Sequence, residues 1–111
     1  QRRAADPNVV KAVLTEDGRC LYFSRAIIPF PRDGARPRRW EHLGLYAYRR
    51  DALRRFVALA PSPLEKTEKL EQLRALEAGM MIRAAIVSER PVSVDVPADL
   101  RCAERLLRRG K

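Results

Sequence analysis

The sequence has little of what many catalytic and metal-binding sites require. It contains one histidine and two cysteines in 111 residues. A single histidine cannot build a His-based zinc site, and it gives little support to a Ser-His-Asp triad. Cys20 and Cys102 lie far apart and match no metal-ligand spacing, so we expect both to stay reduced and to behave as small buried hydrophobes. No Walker loop and no Gly-x-Gly-x-x-Gly motif is present, which argues against the P-loop and dinucleotide-binding classes.

Long apolar runs are also absent. No stretch approaches the roughly 18 consecutive apolar residues that a membrane span needs, and no signal-peptide pattern opens the chain. We therefore predict no membrane association and a cytoplasmic location. Apolar residues nevertheless make up 46% of the composition, which is typical of a folded globular chain.

The charge is strongly unbalanced, with 23 basic and 14 acidic residues and a net charge of +9. Nineteen of the basic residues are arginine, and their pairs are scattered along the chain. A nucleic-acid-binding surface would be expected to group its basic residues and to interleave aromatics, which are only 6% of the composition. Solvated surface charge is the favoured interpretation, and we predict no nucleic-acid partner. A small basic nucleic-acid-binding module is kept as the alternative.

The length allows one domain at most. The chain opens at Gln1 without an initiator methionine and soon enters an apolar run. This start predicts a cut within a larger polypeptide, so that residues 1–111 would form part of one domain.

Strand signals dominate the first half. Residues 9–15 and 19–24 are rich in β-branched and aromatic residues and flank Asp17-Gly18, which predicts an antiparallel hairpin. Residues 27–37 hold three prolines and a glycine, which predicts a loop. Residues 40–48 are predicted as a third strand, with one face formed by His42, Gly44, Tyr46 and Tyr48.

Helices are predicted in the second half. Residues 50–59 form a short amphipathic pattern. Ser62, Pro63 and Glu65 have the types and spacing of a capping box, and the helix they begin is predicted to run to about Ala78 and to stop at Gly79. Residues 81–87 are predicted as a buried strand, 92–96 as a short extended piece, and 97–109 as a last helix. The order favours a mixed α/β sheet with covering helices, and the element count suits half of such a domain.

A few polar residues stand where local structure does not require them. His42 lies within an apolar strand pattern, although a lone strand histidine is more often a hydrogen-bonded core residue than a ligand. Glu71 and Gln72 are predicted in mid-helix, where a solvated face is the simpler interpretation. Asp95 follows a strand-like run and precedes Val96, a poor N-cap for the last helix. A carboxylate at a strand end beside a helix N-terminus suits a hard cation such as Mg²⁺, although one Asp alone is a weak signal.

Taken together, the segments resemble the 3-deoxy-manno-octulosonate cytidylyltransferases, or CMP-KDO synthetases. The resemblance runs in order through nearly the whole chain. It is carried by residues 6–11 (DPNVVK), 21–26 (LYFSRA), 28–29 (IP), 32–33 (RD), 42–49 (HLGLYAYR), 61–65 (PSPLE), 70–74 (LEQLR), 94–95 (VD), 97 (P) and 99–100 (DL).

The resemblance implies a fold and an activity. The fold would be the C-terminal portion of a Rossmann-like nucleotide-diphospho-sugar transferase domain, α/β with a mixed sheet and a β-hairpin. The activity would be transfer of CMP from CTP to 3-deoxy-D-manno-octulosonate (KDO), with Mg²⁺ as cofactor, in a homodimer that serves lipopolysaccharide precursor synthesis. The family's N-terminal half would be missing from these 111 residues, so the chain alone is expected to be inactive and could act only as a dimerisation piece.

Site residues follow from the same resemblance. Asp95 would be one of two metal-binding carboxylates. The sugar would contact His42, Tyr46, Glu71 and Gln72, and Arg25 is a weaker candidate as a cation facing the sugar carboxylate or the phosphates. The family's usual threonine after the metal-binding aspartate is replaced here by Val96, which removes a helix cap.

Overall fold

The computed structural model describes residues 2–88 and 97–109. The elements before the first helix are a 3₁₀ turn at Arg2–Ala5, strands β1 (Lys11–Leu14) and β2 (Cys20–Ser24), a 3₁₀ turn at Arg32–Gly34, and strand β3 (Trp40–Glu41). The helices are α1 (Arg50–Val57), α2 (Pro63–Glu68), α3 (Gln72–Glu77) and α4 (Pro97–Arg109). The described strands form one antiparallel sheet in the order β2-β1-β3.

The predicted hairpin is confirmed. Strands β1 and β2 pair with Ala12 opposite Phe23, and the register shifts between Val13 and Leu14. In the turn, the Thr15 amide donates to the Arg19 carbonyl at 2.9 Å. Gly18 has φ +84°, a conformation that glycine adopts without steric cost. The turn is therefore specified locally, by the Asp-Gly pair that the sequence shows.

The third strand is shorter than predicted. It covers Trp40 and Glu41, and the His42 amide then makes one more bond, to the Val10 carbonyl at 2.9 Å. Gly44 has φ +71°, which turns the backbone away from a strand path. The prediction of a strand over 40–48 is wrong beyond Glu41, and the rest of that segment is irregular. Leu45 is left 78% exposed.

The core lies between the sheet and the α2–α3 segment. Its buried members are Ala12, Cys20, Phe23, Leu70 and Leu73, and Leu73 is fully inaccessible. The expected burial of Cys20 is confirmed, and its thiol is free. Burial raises the pKa of this thiol, so it stays protonated and packs as a hydrophobe.

The capping box is confirmed in full. The Glu65 amide donates to Ser62 Oγ at 3.3 Å, the Ser62 amide donates to Glu65 Oε2 at 3.1 Å, and Pro63 occupies the first turn. Gly79 closes the segment with φ +75°, as predicted. The sequence therefore placed both outer ends of this helical segment correctly.

The single helix predicted from Pro63 to about Ala78 is wrong, because the chain breaks at Lys69, which has φ +56°. In a continuous helix the carbonyls of Glu68 and Lys69 would accept bonds from the amides four residues later. Here the Arg25 side chain donates to both carbonyls, at 2.8 and 3.4 Å. A tertiary contact thus replaces helical bonds and divides the segment into α2 and α3.

A buried ammonium ties the first strand to its surroundings. Lys11 is only 2% exposed, and its Nζ donates to the carbonyls of Asp6 (3.0 Å), Val9 (2.6 Å) and Arg25. All three hydrogens of the ammonium are thereby satisfied, as the burial of a charged group requires.

The buried strand predicted over residues 81–87 does not form. The segment makes one isolated antiparallel bridge, between Arg83 and Arg19, supported by a bond from the Cys20 amide to the Ile82 carbonyl at 2.8 Å. Met81, Ile86 and Val87 are 65%, 61% and 58% exposed. Among residues 2–88 and 97–109 no second strand pairs with this segment, so a continuous ladder cannot develop.

Helix α4 occupies the range predicted for the last helix. Its apolar stripe is largely exposed, with Leu100 at 51% and Leu107 at 74%. The extended piece predicted at residues 92–96 lies outside the described residues. None of the helices in the described ranges has the length and apolar content needed to cross a bilayer.

Candidate functional site

A cleft of about 440 Å³ opens beside the edge of the sheet. Four chain segments form it: Val10 just before β1, the irregular stretch after β3, helix α1, and the junction between α2 and α3. Its lining residues are Val10, His42, Gly44, Tyr46, Tyr48, Phe56, Lys69, Leu70, Glu71 and Gln72.

The stretch after β3 supplies most of one side. The four residues that the sequence places on one face, His42, Gly44, Tyr46 and Tyr48, all line the cleft even though the backbone is not a strand there. A Cβ added at Gly44 would lie 3.8 Å from the His42 ring, so a small side chain would meet ordinary contact there. The positive φ of Gly44, rather than lack of space, accounts for the glycine.

His42 and Tyr46 form the cleft's central polar pair. Tyr46 Oη lies 2.7 Å from His42 Nε2. Burial lowers the pKa of His42, which favours the neutral imidazole. Burial, followed by the nearby Tyr48, Cys20 and Glu71, raises the pKa of Tyr46 well above its ordinary value of 10. Both groups are then neutral, and the phenol can donate to Nε2 when the ring proton is on Nδ1.

Aromatic contacts continue from this pair in both directions. The His42 ring meets Phe23 edge to face, with centroids 5.2 Å apart, which ties it to the core. Tyr46 lies 6.0 Å from Tyr48, and Tyr48 lies 5.8 Å from Phe56 on α1. These ring contacts extend along the wall of the cleft from Phe23, in the buried sheet, to Phe56, on the exposed helix α1.

The helix break brings Glu71 and Gln72 into the cleft. The prediction that they occupy the middle of one helix is wrong, because Glu71 is the residue before α3 and Gln72 is its first residue. Glu71 is exposed, whereas Gln72 is only 8% exposed. The Gln72 Nε2 atom is buried and has no hydrogen-bond partner among the described residues. A buried amide donor without a partner is costly, which sets Gln72 apart from the other residues that line the cleft.

Lys69 is a lining residue that the sequence reading missed. It is exposed, and no described residue bonds its ammonium. A left-handed backbone at a non-glycine residue is uncommon and often marks a functional position. Glycine or asparagine would have signalled such a turn; lysine does not, so the local sequence gave no sign of it.

Arg25 is not among the lining residues. Its Nε and Nη atoms donate to the carbonyls of Glu68, Pro7 and Lys69, and its amide donates to the Glu68 carboxylate at 3.0 Å. The same carboxylate accepts from Ser24 Oγ at 2.6 Å. The structure thus gives Arg25 a supporting position, because it bonds the backbone of the cleft-lining Lys69 without lining the cleft itself.

The predicted metal ligand, Asp95, lies outside the described residues. Within residues 2–88 and 97–109 no three His, Cys, Asp or Glu side chains come together in a group that could hold a metal ion. Glu71 is the single carboxylate lining the cleft in that part of the chain. The described residues alone therefore do not fit a magnesium site.

Comparisons with known proteins agree with this architecture. A 3-deoxy-manno-octulosonate cytidylyltransferase of Myxococcus xanthus is 54% identical over 95% of this chain, and one of Rhodospirillum centenum is 58% identical over 92%. A solved structure described as CMP:2-keto-3-deoxy-manno-octonic acid synthetase complexed with CTP matches 99% of this chain with a TM-score of 0.93 and 41% identity. This match confirms the predicted α/β class and the resemblance to that fold.

The chain spans less than half the length of these relatives: 43% and 40% of the two sequences, and 46% of the solved chain. The family model described as "Cytidylyltransferase" matches residues 1–82, which include every residue lining the cleft. The chain belongs to the cytidylyltransferase family.

Proposed function

We propose that this chain carries the sugar-binding part of a 3-deoxy-manno-octulosonate cytidylyltransferase, which transfers CMP from CTP to KDO in lipopolysaccharide precursor synthesis. The anomeric hydroxyl oxygen of KDO would form a bond to the α-phosphorus of CTP. The bond from that phosphorus to the bridging oxygen would break, pyrophosphate would leave, and the hydroxyl proton would pass to solvent. The relatives carry this name, and the solved neighbour is described in complex with CTP.

One observation carries the proposal: four residues expected to contact the sugar line a single cleft that contains an unsatisfied buried amide. Gln72 would donate to a sugar hydroxyl, and the Glu71 carboxylate would accept from one. The neutral His42 and the Tyr46 hydroxyl would complete the polar set. Each of these groups bonds uncharged hydroxyls well, which suits a polyhydroxylated ligand.

KDO is also an acid, and Lys69 is the cation that lines the cleft within the described residues. Its ammonium could face the sugar carboxylate, a contact first expected of Arg25. Reactions of this kind depend on positioning and on neutralising the charge that develops on the phosphate groups. The residues of this chain would contribute by holding the sugar in a fixed orientation.

The remaining features are proposed from the family alone. Mg²⁺ would neutralise phosphate charge, with Asp95 as one ligand. The active enzyme would be a cytoplasmic homodimer.

The test is pyrophosphate release by the full encoded polypeptide. Release should require both CTP and KDO, and no release in the presence of both and Mg²⁺ would refute the proposed activity. Glu71→Ala should raise the KM for KDO by about tenfold or more, as expected when a charge-assisted hydrogen bond is lost. The KM for CTP should not change. Glu16→Ala, at an exposed position in the hairpin turn, is the matched control. Normal KDO kinetics in Glu71→Ala would remove Glu71 from the sugar site.

A further inference from the structure

Helix α1 contributes to the cleft although none of its residues is buried. Phe56 is half-buried and lines the cleft, and its ring contacts that of Tyr48, which lines the cleft too. Leu53 and Val57, the other apolar residues of its predicted stripe, are 44% and 68% exposed. Apolar burial therefore does little to hold α1 in place, and specific contacts must position Phe56.

Those contacts come from α3 and the residue that follows it. The Arg74 guanidinium carbon lies 5.1 Å from the centre of the Phe56 ring, in a cation–π arrangement. Arg74 Nη1 also donates to the Leu59 carbonyl, just after α1, at 3.4 Å. At the other end of α3, Arg55 of α1 donates to the Ala78 carbonyl at 2.6 Å. Arg74 therefore contacts both the Phe56 ring and the backbone after it.

Arg74 is itself held in a fixed orientation. Its Nε and Nη2 atoms donate to the two Glu65 oxygens at 2.7 and 2.6 Å. The two side chains are only 17% and 12% exposed. Glu65 in turn accepts from the Ser62 amide in the capping box. A bidentate pair sets the plane of the guanidinium as well as its place, so the cation is directed at the ring by the start of α2.

Helix α3 thus connects two parts of the cleft. Its first residue, Gln72, brings the unsatisfied amide, and Arg74, two residues later, fixes Phe56. We propose that Arg74 is a positioning residue: through Phe56 and Tyr48 it holds the aromatic wall of the cleft at the distance from Gln72 that the sugar requires. This inference rests on the proposed function, since it names a determinant of sugar binding at the same site.

The test compares two substitutions of Arg74 in the full encoded polypeptide. Arg74→Met keeps much of the side-chain length and loses the cation and the bidentate pair. Arg74→Lys keeps a cation that can lie over the ring but loses the planar fork. The matched control is Arg83→Met, because Arg83 is an exposed arginine whose partner is Asp17, in the hairpin turn.

In Arg74→Met the KM for KDO should rise by about two- to fivefold, the factor that corresponds to the one cation–π contact that positions the Phe56 ring. The kcat and the KM for CTP should stay at the wild-type values, and Arg74→Lys should recover part of the loss. Arg83→Met should match the wild type. An unchanged KM for KDO in Arg74→Met would overturn the inference. An equal rise in both KM values would do so too, since it would indicate a general structural role.

A second readout does not depend on turnover. Amide hydrogen exchange over residues 50–57 should be faster in Arg74→Met than in the wild type, and unchanged in Arg83→Met. Inactivity of the wild-type enzyme would refute the proposed function, and hydrogen exchange would then decide the role of Arg74. Unaltered exchange over α1 in Arg74→Met would show that Arg74 does not hold this helix.

Discussion

The hydrogen bond between Tyr46 and His42 makes a prediction about proton binding. The Oη–Nε2 distance is 2.7 Å, and the raised pKa of Tyr46 and the lowered pKa of His42 keep both groups neutral. The prediction takes the phenol as the donor. A donor to Nε2 stabilises the neutral imidazole, since the protonated ring has no lone pair to accept with. Tyr46→Phe keeps the ring and removes the donor, so the pKa of His42 should rise.

The rise follows from the loss of the bond. A neutral hydrogen bond contributes about 1 kcal/mol net. Losing the bond removes this preference for the neutral ring, so the pKa of His42 should rise toward its ordinary value of 6.5. The lowered pKa in the wild type means that the unfolded chain binds more protons near pH 6. This contribution to stability is present above pH 6.5 and is lost as the pH falls through the pKa of the folded state.

The measurement is an NMR titration of the imidazole C2 proton. His42 is the one histidine in the sequence, so its resonance in this chain can be assigned without ambiguity. Tyr22→Phe is the control, because Tyr22 packs against the core, whereas the ring contacts of His42 are with Phe23 and Tyr46. A fall in the pKa of His42 in Tyr46→Phe would show that the histidine is the donor, and no change would show that the bond does not form in solution.

Three further outcomes are expected. Ser62→Ala should lower the free energy of unfolding by about 1 kcal/mol, because the Glu65 amide loses its capping hydrogen bond. Urea denaturation measures this loss. The control, Ser88→Ala at an exposed bend, should change the free energy of unfolding little. Leu73→Ala should lower the free energy of unfolding by about 2–5 kcal/mol in the same measurement, because Leu73 is fully buried. The control is Leu107→Ala, at a position 74% exposed. An equally small loss of stability in both variants would contradict the assigned core. Asp95→Asn should weaken the binding of Mn²⁺, measured by calorimetry, and should remove most CTP-dependent turnover in the full polypeptide. An unchanged metal affinity would exclude Asp95 as a ligand.

The sequence by itself determined those features whose cause lies within a few residues. Asp17-Gly18 specified the hairpin turn, Ser62 and Glu65 specified the start of α2, and Gly79 specified the end of α3, since turn and cap geometry depend on neighbouring backbone and side-chain atoms. The alternation that placed His42 and Tyr46 on one face also held at the cleft, although the strand itself ended at Glu41.

Tertiary structure decided the features that depend on distant partners. The helical segment breaks at Lys69. There the side chain of Arg25, more than 40 residues earlier, donates to the carbonyls that would accept backbone bonds in a continuous helix. That break moved Gln72 from mid-helix into the cleft. Residues 81–87 are apolar enough for a buried strand, yet a strand requires a ladder partner, and local composition cannot supply one. The sequence could therefore indicate several residues that line the cleft, whereas long-range hydrogen bonds decided how the backbone brings them together.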